Sequence, residues 1–286
     1  MISIFAKPSF LNINPSQSFK DRVSPPRGQL MRVSSTIRGD QIADQIGAKL
    51  NPESGYENDV CIYVKPMVRK GDDFKFEGKP YLDIIDGHNL AMVAKRHPEV
   101  TMIVCSQADM EVMSGEVSNR IVYIPQHHCN FERIRREGRE VTTIGVIGTR
   151  GAFPYLPKEL KRELAKIDMK LIEFSKFYTR QDIIDFYLSI DIQLVWRPYK
   201  KILSNPLKIV NAASFGIPTI ALDEKAFGEV KSCYMPVNDF GEFLTALDRL
   251  RTTTSLYVNY ARECVERSEY YHIEKVGEMY KELDDS

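Results

Sequence analysis

The sequence lacks the features that mark membrane and secreted proteins. Its 286 residues contain no apolar run of about 18 or more, the length that a membrane-spanning helix needs. The apolar start at residues 1–6 is too short for the core of a secretion signal, because Lys7 and Pro8 interrupt it. We therefore expect a soluble, cytoplasmic protein without a transmembrane segment.

Spaced metal-binding residues are also scarce. The five cysteines include no C-x-x-C pair, which disfavours a disulfide framework and a structural zinc site. His127 and His128 precede Cys129, but neighbouring side chains rarely converge on one ion without further spaced ligands. We predict no metal and no cofactor. The cysteines are Cys61, Cys105, Cys129, Cys233 and Cys264.

An excess of charge of one sign is absent as well. The 39 basic and 39 acidic side chains leave a formal net charge of zero, which provides no overall attraction for a polyanion. Local basic clusters occur at residues 65–79 and 133–139, so binding of DNA is permitted but not indicated. No G-x-G-x-x-G motif follows the first predicted strand, which disfavours hydride transfer with a dinucleotide.

What the sequence does have is a regular alternation of strand and helix patterns, which predicts parallel βαβ units and the α/β class. We expect two Rossmann-like domains, residues 1–138 and 139–286, with the C-terminal helix crossing back to the first. The Pro-, Ser- and Asn-rich residues 7–30 predict a lid or acceptor-side loop. The strands are predicted at residues 2–6, 59–64, 81–85, 100–105, 121–125, 142–148, 170–173, 190–196 and 218–222.

The most informative segment is residues 205–229. It predicts a helix over 207–214, a stop at Gly216, and a buried strand that begins at Pro218. Lys208 lies at the start of the helix, and Glu229 follows the strand. Helix starts and strand ends face one crevice in open α/β sheets, where phosphates bind. The segment therefore predicts half of a nucleotide-diphosphate site.

This segment resembles the donor-binding element of GT-B glycosyltransferases. In the retaining branch of that superfamily the pattern runs lysine, glutamate, alanine-rich helix, Gly-x-Pro, strand, glutamate. Asn211 departs from it, because it stands where a glutamate usually binds the donor ribose. Residues 122–133 and 178–198 resemble the hinge and the helix and strand before the donor element. The resemblance implies two Rossmann-like domains facing a central cleft, and sugar transfer from a nucleotide-sugar with retention and without a bound metal.

The resemblance assigns donor-binding roles in the second domain. Arg150 and Lys208 would bind the diphosphate, whose charge increases as the sugar leaves. Gly148, with Gly151, would allow backbone N–H groups to approach phosphate closely. Glu229 would accept hydrogen bonds from the ribose, with Glu224 as a competitor, and Asn211 would share the ribose or sugar contact.

Candidate catalytic residues follow a predicted strand of the first domain. His88 could contact the transferring sugar or move the acceptor proton, and Asp86 could act as base if the reaction inverts the anomeric centre. Capping of the next helix is the alternative role for both residues.

Four further residues are predicted on the acceptor side. Arg38 and Gly39 precede an amphipathic run that extends to Leu50, so Gly39 is expected in a strand-to-helix turn aimed at the cleft. His127 and His128 lie at the predicted hinge.

Two other functions remain open. A nucleotide-sugar epimerase or hydrolase of the same fold would need a carboxylate that activates water. A non-catalytic GT-B-like binding protein is favoured by Asn211 in place of glutamate. For a hexosyl- or pentosyltransferase, the acceptor remains open among glycans, lipid headgroups, proteins, small metabolites and a hydroxymethylated DNA base.

Overall fold

A computed structural model describes residues 1–7, 33–68, 72–136, 140–176, 179–199 and 201–284. The chain forms two compact units. Unit 1 contains Met1–His127, Lys201–Asn205 and Ile273–Ser286, and unit 2 contains His128–Lys200 and Pro206–His272. The predicted boundary at 138/139 thus differs from the first unit boundary, which falls after His127. The predicted lid, apart from Lys7, lies outside the described residues.

Unit 1 is built on a six-stranded parallel sheet with the strand order β2-β1-β3-β4-β5-β6. Its central strand β3 is apolar throughout and buried at every position, as expected for a parallel sheet covered on both faces. The strands are β1 (Ile2–Ala6), β2 (Lys49–Leu50), β3 (Val60–Val64), β4 (Lys79–Ile85), β5 (Thr101–Val104) and β6 (Ile121–Tyr123).

Short helices connect these strands. Ser106 caps one of them, as predicted, because its hydroxyl accepts a hydrogen bond from the backbone N–H of Asp109. The α-helices are α1 (Val33–Ser35), α2 (Gln41–Ile46), α3 (Ala91–Ala94) and α4 (Gln107–Glu116).

The helical region before β2 differs from the prediction. The predicted helix does not continue to Leu50, because Gly47 ends α2 in the left-handed conformation with φ = 69° and Leu50 belongs to β2. Gly39 is not in a strand-to-helix turn but inside the π-helical segment Thr36–Asp40. A Cβ at Gly39 would lie 2.6 Å from that of Ala6, so glycine is needed where this segment packs on β1.

Unit 2 contains a five-stranded parallel sheet with the order β11-β10-β9-β7-β8. The strands are β7 (Thr143–Ile147), β8 (Lys170–Phe174), β9 (Ile192–Val195), β10 (Thr219–Leu222) and β11 (Tyr234–Val237). The helices are α5 (Leu160–Ala165), α6 (Arg180–Leu188), α7 (Leu207–Ser214), α8 (Phe240–Thr252) and α9 (Thr254–Ser268).

Local signals determine the ends of the helices in unit 2. Thr179 and Asp182 form a reciprocal capping box at the start of α6. After α7, Gly216 takes the predicted left-handed conformation with φ = 74°, and the chain turns into β10. The predicted helix–glycine–strand order over residues 207–222 is therefore confirmed.

The last helix, α10 (Ile273–Lys281), belongs to unit 1. It buries Ile273, Val276 and Tyr280 at helical spacing. The Tyr280 hydroxyl donates a 3.1 Å hydrogen bond to Asp83 of β4, although the two residues lie far apart in the sequence. Unit 1 is therefore completed by a segment that follows unit 2 in the chain.

Candidate functional site

The strand order of unit 2 identifies where a ligand is expected to bind. The connection from β7 leads to β8 on one side, whereas β9 pairs with β7 on the other side. Ligands of open α/β sheets bind at such a reversal, in the crevice beyond the carboxyl ends of the strands. In unit 2 this crevice lies where β7 and β9 end.

Lys208 and Gly148 meet at this edge. Lys208 is exposed in the first turn of α7, and its Nζ lies 3.4 Å from the position that a Cβ on Gly148 would occupy. The Gly148 N–H donates to the carbonyl of Phe174 at 3.0 Å, so it does not serve as the expected phosphate donor. The contribution of Gly148 is instead that no side chain stands between the end of β7 and the Lys208 ammonium group.

Arg150 follows two residues after Gly148 and begins the 3-10 segment Arg150–Tyr155. Its side chain is exposed. Arg150 therefore follows the carboxyl end of β7, and the Lys208 ammonium group lies near the same strand end. Two cationic residues are thus found at this edge.

The two carboxylates after β10 have different partners. Glu224 forms an ion pair with Arg197, whose Nε lies 2.7 Å from Oε1. Glu229 lies in the 3-10 segment Lys225–Cys233, and its Oε1 accepts a 3.1 Å hydrogen bond from the hydroxyl of Tyr271. The Glu229 carboxylate thus accepts a hydrogen bond from a hydroxyl group, which is the type of donor that a ribose also has.

Asn211 has a structural role within unit 2. Its Oδ1 accepts a 2.8 Å hydrogen bond from the backbone N–H of Cys129, and its side chain also hydrogen-bonds to Tyr187. Nearby, Asn130 donates to the carbonyl of Ser214 at 2.9 Å. The amide that was predicted to contact the donor ribose therefore holds residues 128–130 against α7.

Asp86 and His88 of unit 1 both bind other side chains. Asp86 forms an ion pair with Lys65, and Lys201 Nζ lies 3.8 Å from its Oδ2. Burial by itself raises the pKa of Asp86, but the hydrogen bond and charge of Lys65, with the charge of Lys201, lower it below the ordinary value. His88 Nε2 lies 2.8 Å from both carboxylate oxygens of Glu116. Asp86 is thus a weakened base.

The residues predicted on the acceptor side are all buried. Arg38 is fully buried and hydrogen-bonds to Asp83. Gly39 packs on β1, and His127 Nε2 donates to the carbonyl of Ile37 at 2.9 Å in unit 1. His128 is buried in unit 2. Direct contact of these side chains with an acceptor is therefore not supported, because their surfaces are covered.

Sequence reasoning missed a cavity of about 700 Å³ in unit 1, lined by Lys7, Lys65 and Asn89 among other residues. The available signal was a lysine directly after each of two predicted strands.

In the part of the chain that the structure describes, no three His, Cys, Asp or Glu side chains are grouped to hold a metal ion. No helix in the same part is long and apolar enough to cross a membrane.

Comparison with known proteins gives matches in structure only. No family model matches the sequence, and no curated protein does. The pneumococcal O-GlcNAc transferase GtfA superposes with a TM-score of 0.52 and 12% identity, over 80% of this chain and 57% of that chain. Sucrose-phosphate synthase from Thermosynechococcus elongatus gives 0.59 and 11%, over 98% and 87%. WaaG, a glycosyltransferase of lipopolysaccharide biosynthesis, gives 0.53 and 12%, over 79% and 78%.

The chain has the GT-B fold. The predicted α/β class with two Rossmann-like parallel sheets is confirmed. The chain spans little more than half of GtfA, so the matches report the fold of this chain and not the activity of the longer protein.

Proposed function

We propose that the protein is a glycosyltransferase that moves a sugar from a nucleotide-diphosphate sugar to an acceptor hydroxyl. The observation that carries this proposal is the position of the Lys208 ammonium group beside Gly148, at the switch point of the unit 2 sheet. An exposed cation at that edge of a GT-B fold would stabilise the negative charge of a diphosphate leaving group.

The proposed chemistry depends on charge. As the bond between the sugar and the diphosphate breaks, negative charge accumulates on the phosphate oxygens. Lys208 and Arg150 would stabilise that charge by charge-assisted hydrogen bonds. Glu229, which accepts a hydrogen bond from Tyr271, would accept one from a ribose hydroxyl in the same way. The acceptor oxygen would bond to the anomeric carbon as the diphosphate leaves, and the hydroxyl proton would pass to a phosphate oxygen of the leaving group.

Several finer features belong to the proposal and rest on the resemblance alone. They are retention of configuration, transfer of a hexose or pentose, and chemistry without a bound metal or cofactor. A glycan, a small molecule or a hydroxymethylated DNA base would serve as acceptor. The zero net charge does not favour DNA among these acceptors.

A panel of nucleotide-sugars tests the proposal. A ligand at 100 times its dissociation constant stabilises the folded protein by about 2.7 kcal/mol, which thermal unfolding detects. Lys208→Ala should weaken binding about ten-fold or more, because a hydrogen bond to a charged group is lost. Lys170→Ala is the matched control, since it removes an exposed lysine from the amino end of β8. Equal affinity of Lys208→Ala and the control would contradict the proposal.

A non-catalytic nucleotide-sugar-binding protein is the second candidate. It is favoured by Asn211, whose side chain binds the backbone of Cys129, and by Asp86, whose basicity the lysines lower. Stabilisation by a nucleotide-sugar without any sugar transfer or release would favour this candidate. Release of free sugar without an acceptor would favour a hydrolase of the same fold.

A further inference from the structure

The cavity in unit 1 lies at the carboxyl ends of β1 and β3. Its volume of about 700 Å³ falls within the range of about 300–1,000 Å³ that is typical of small-molecule sites. Polar and apolar groups both line it. Its lining includes Lys7, Ser35, Lys65, Met67 and Asn89.

The topology of unit 1 places this cavity where ligands are expected. β1 pairs with β2 on one side and with β3 on the other, so the order of strands reverses at β1. Lys7 directly follows β1, and Lys65 directly follows β3. The cavity therefore occupies the crevice at the switch point of the unit 1 sheet.

The charges around this cavity have one predominant sign. Lys7 and Lys65 line it, whereas none of its described lining residues is acidic. Asp86 is not among the described lining residues, but it forms an ion pair with the lining residue Lys65 and lies 3.8 Å from Lys201 Nζ. Asp86 thus has two lysines beside it, and their charges lower its pKa, which is consistent with a positive local potential.

We propose that this cavity binds a polyhydroxylated acceptor that carries an anionic group, either a phosphate or a carboxylate; this rests on the proposed glycosyltransferase function. Lys7 and Lys65 bind the anion, and Ser35 and Asn89 hydrogen-bond to hydroxyl groups. Met67 packs against ring carbons. A neutral acceptor is disfavoured because it would make no charge-assisted hydrogen bond with either ammonium group.

Three ligands with the same ring chemistry test this inference by titration calorimetry at low salt. The probes are glucose 6-phosphate, glucuronate and neutral glucose. We expect at least one anionic probe to bind and glucose not to bind. Binding of glucose 6-phosphate alone identifies a phosphorylated acceptor, and binding of glucuronate alone identifies a carboxylate. Failure of both anionic probes to bind, or equal binding of glucose, would overturn the inference.

Variants locate the anionic probe in the cavity. The double variant Lys7→Ala/Lys65→Ala should weaken binding by about ten-fold or more. Lys95→Ala is the control, because it removes an exposed lysine of unit 1 outside the cavity lining. Lys7→Ala alone changes only an exposed side chain, so it tests the same contact if the double variant does not fold. Unchanged affinity of both variants would refute the site.

The two proposals can fail separately. Lys208→Ala should not change binding of the anionic probe, and the cavity variants should not change binding of a nucleotide-sugar. Anion binding without any nucleotide-sugar binding would contradict the glycosyltransferase function while keeping the cavity site. Nucleotide-sugar binding without binding of an anionic probe would contradict the cavity site and leave the proposed glycosyltransferase function intact.

Discussion

The Nε–H of Arg38 donates a 2.7 Å hydrogen bond to the carboxylate of Asp83, and both side chains are fully buried in unit 1. Arg38 Nη1 also donates to the carbonyls of Ile124 and Pro125, at 2.9 and 2.6 Å. The aromatic ring of Tyr280 lies 5.2 Å from the guanidinium carbon. This ion pair therefore connects the π-helical segment, β4, the end of β6 and α10.

Arg38→Ala should destabilise the protein by about 3–5 kcal/mol, because it leaves the buried Asp83 carboxylate without its charged partner. Urea denaturation measures this loss. Arg96→Ala is the matched control, since Arg96 is exposed and lies 3.8 Å from Asp73, and it should cost less than about 1 kcal/mol. A loss for Arg38→Ala as small as that of the control would contradict the role of the pair.

Asp86 should make stability depend on pH in acid. Its pKa is lowered in the folded state, so its contribution is fully present above the unfolded pKa of about 3.9 and disappears as pH falls through the lower folded value. Unfolding free energies of the wild type and Asp86→Asn should therefore differ less as pH falls below about 4. A difference that is constant from pH 3 to 7 would show that the lysines do not lower this pKa.

Gly148→Ala should weaken binding of a nucleotide-sugar without unfolding unit 2. The added Cβ would meet Ala152 Cβ and Lys208 Nζ at 3.4 Å, an ordinary contact distance, but it would occupy the space beside the ammonium group. We expect about ten-fold weaker binding in titration calorimetry. Gly151→Ala adds a Cβ with nothing within 4 Å and is the control. Equal binding by both variants would exclude a phosphate beside Gly148.

Gly145→Ala should destabilise unit 2 by about 1–3 kcal/mol through overpacking. A Cβ at this position of β7 would lie 2.6 Å from Ile190 and 2.8 Å from Phe186. Gly115→Ala is the opposite case, because Gly115 lies in α4 with nothing within 4 Å of the added Cβ. That substitution should stabilise the protein by about 0.5–1 kcal/mol. The midpoint temperature of thermal unfolding should thus fall for Gly145→Ala and rise for Gly115→Ala.

Local patterns were sufficient to predict most elements of the fold. A continuous apolar run predicted β3, and Ser106 together with Gly216 predicted the ends of helices. The amphipathic pattern that reached Leu50 was misleading because Gly47 ends the helix and the remaining residues pair with β1. A short edge strand has too few residues to show its own period.

The roles of individual polar residues were much harder to predict. Asn211 binds the backbone of Cys129, 82 residues away, and Arg38 binds Asp83, 45 residues away. A single sequence contains no signal for such tertiary partners, so exposed donor contacts and buried structural contacts look alike. The positions of Lys208 and Gly148 were easier to predict, because one lies in the first turn of a helix and the other directly follows a strand of a parallel sheet.

Helix α10 is synthesised after every residue of unit 2, yet it completes unit 1. While the ribosome is still producing α9, Asp83 has no hydrogen bond from Tyr280, and the Arg38 guanidinium lacks the covering aromatic ring. Unit 2 is thus the first of the two whose residues have all been translated. Unit 1 can therefore gain its last helix only after all of unit 2 has been synthesised.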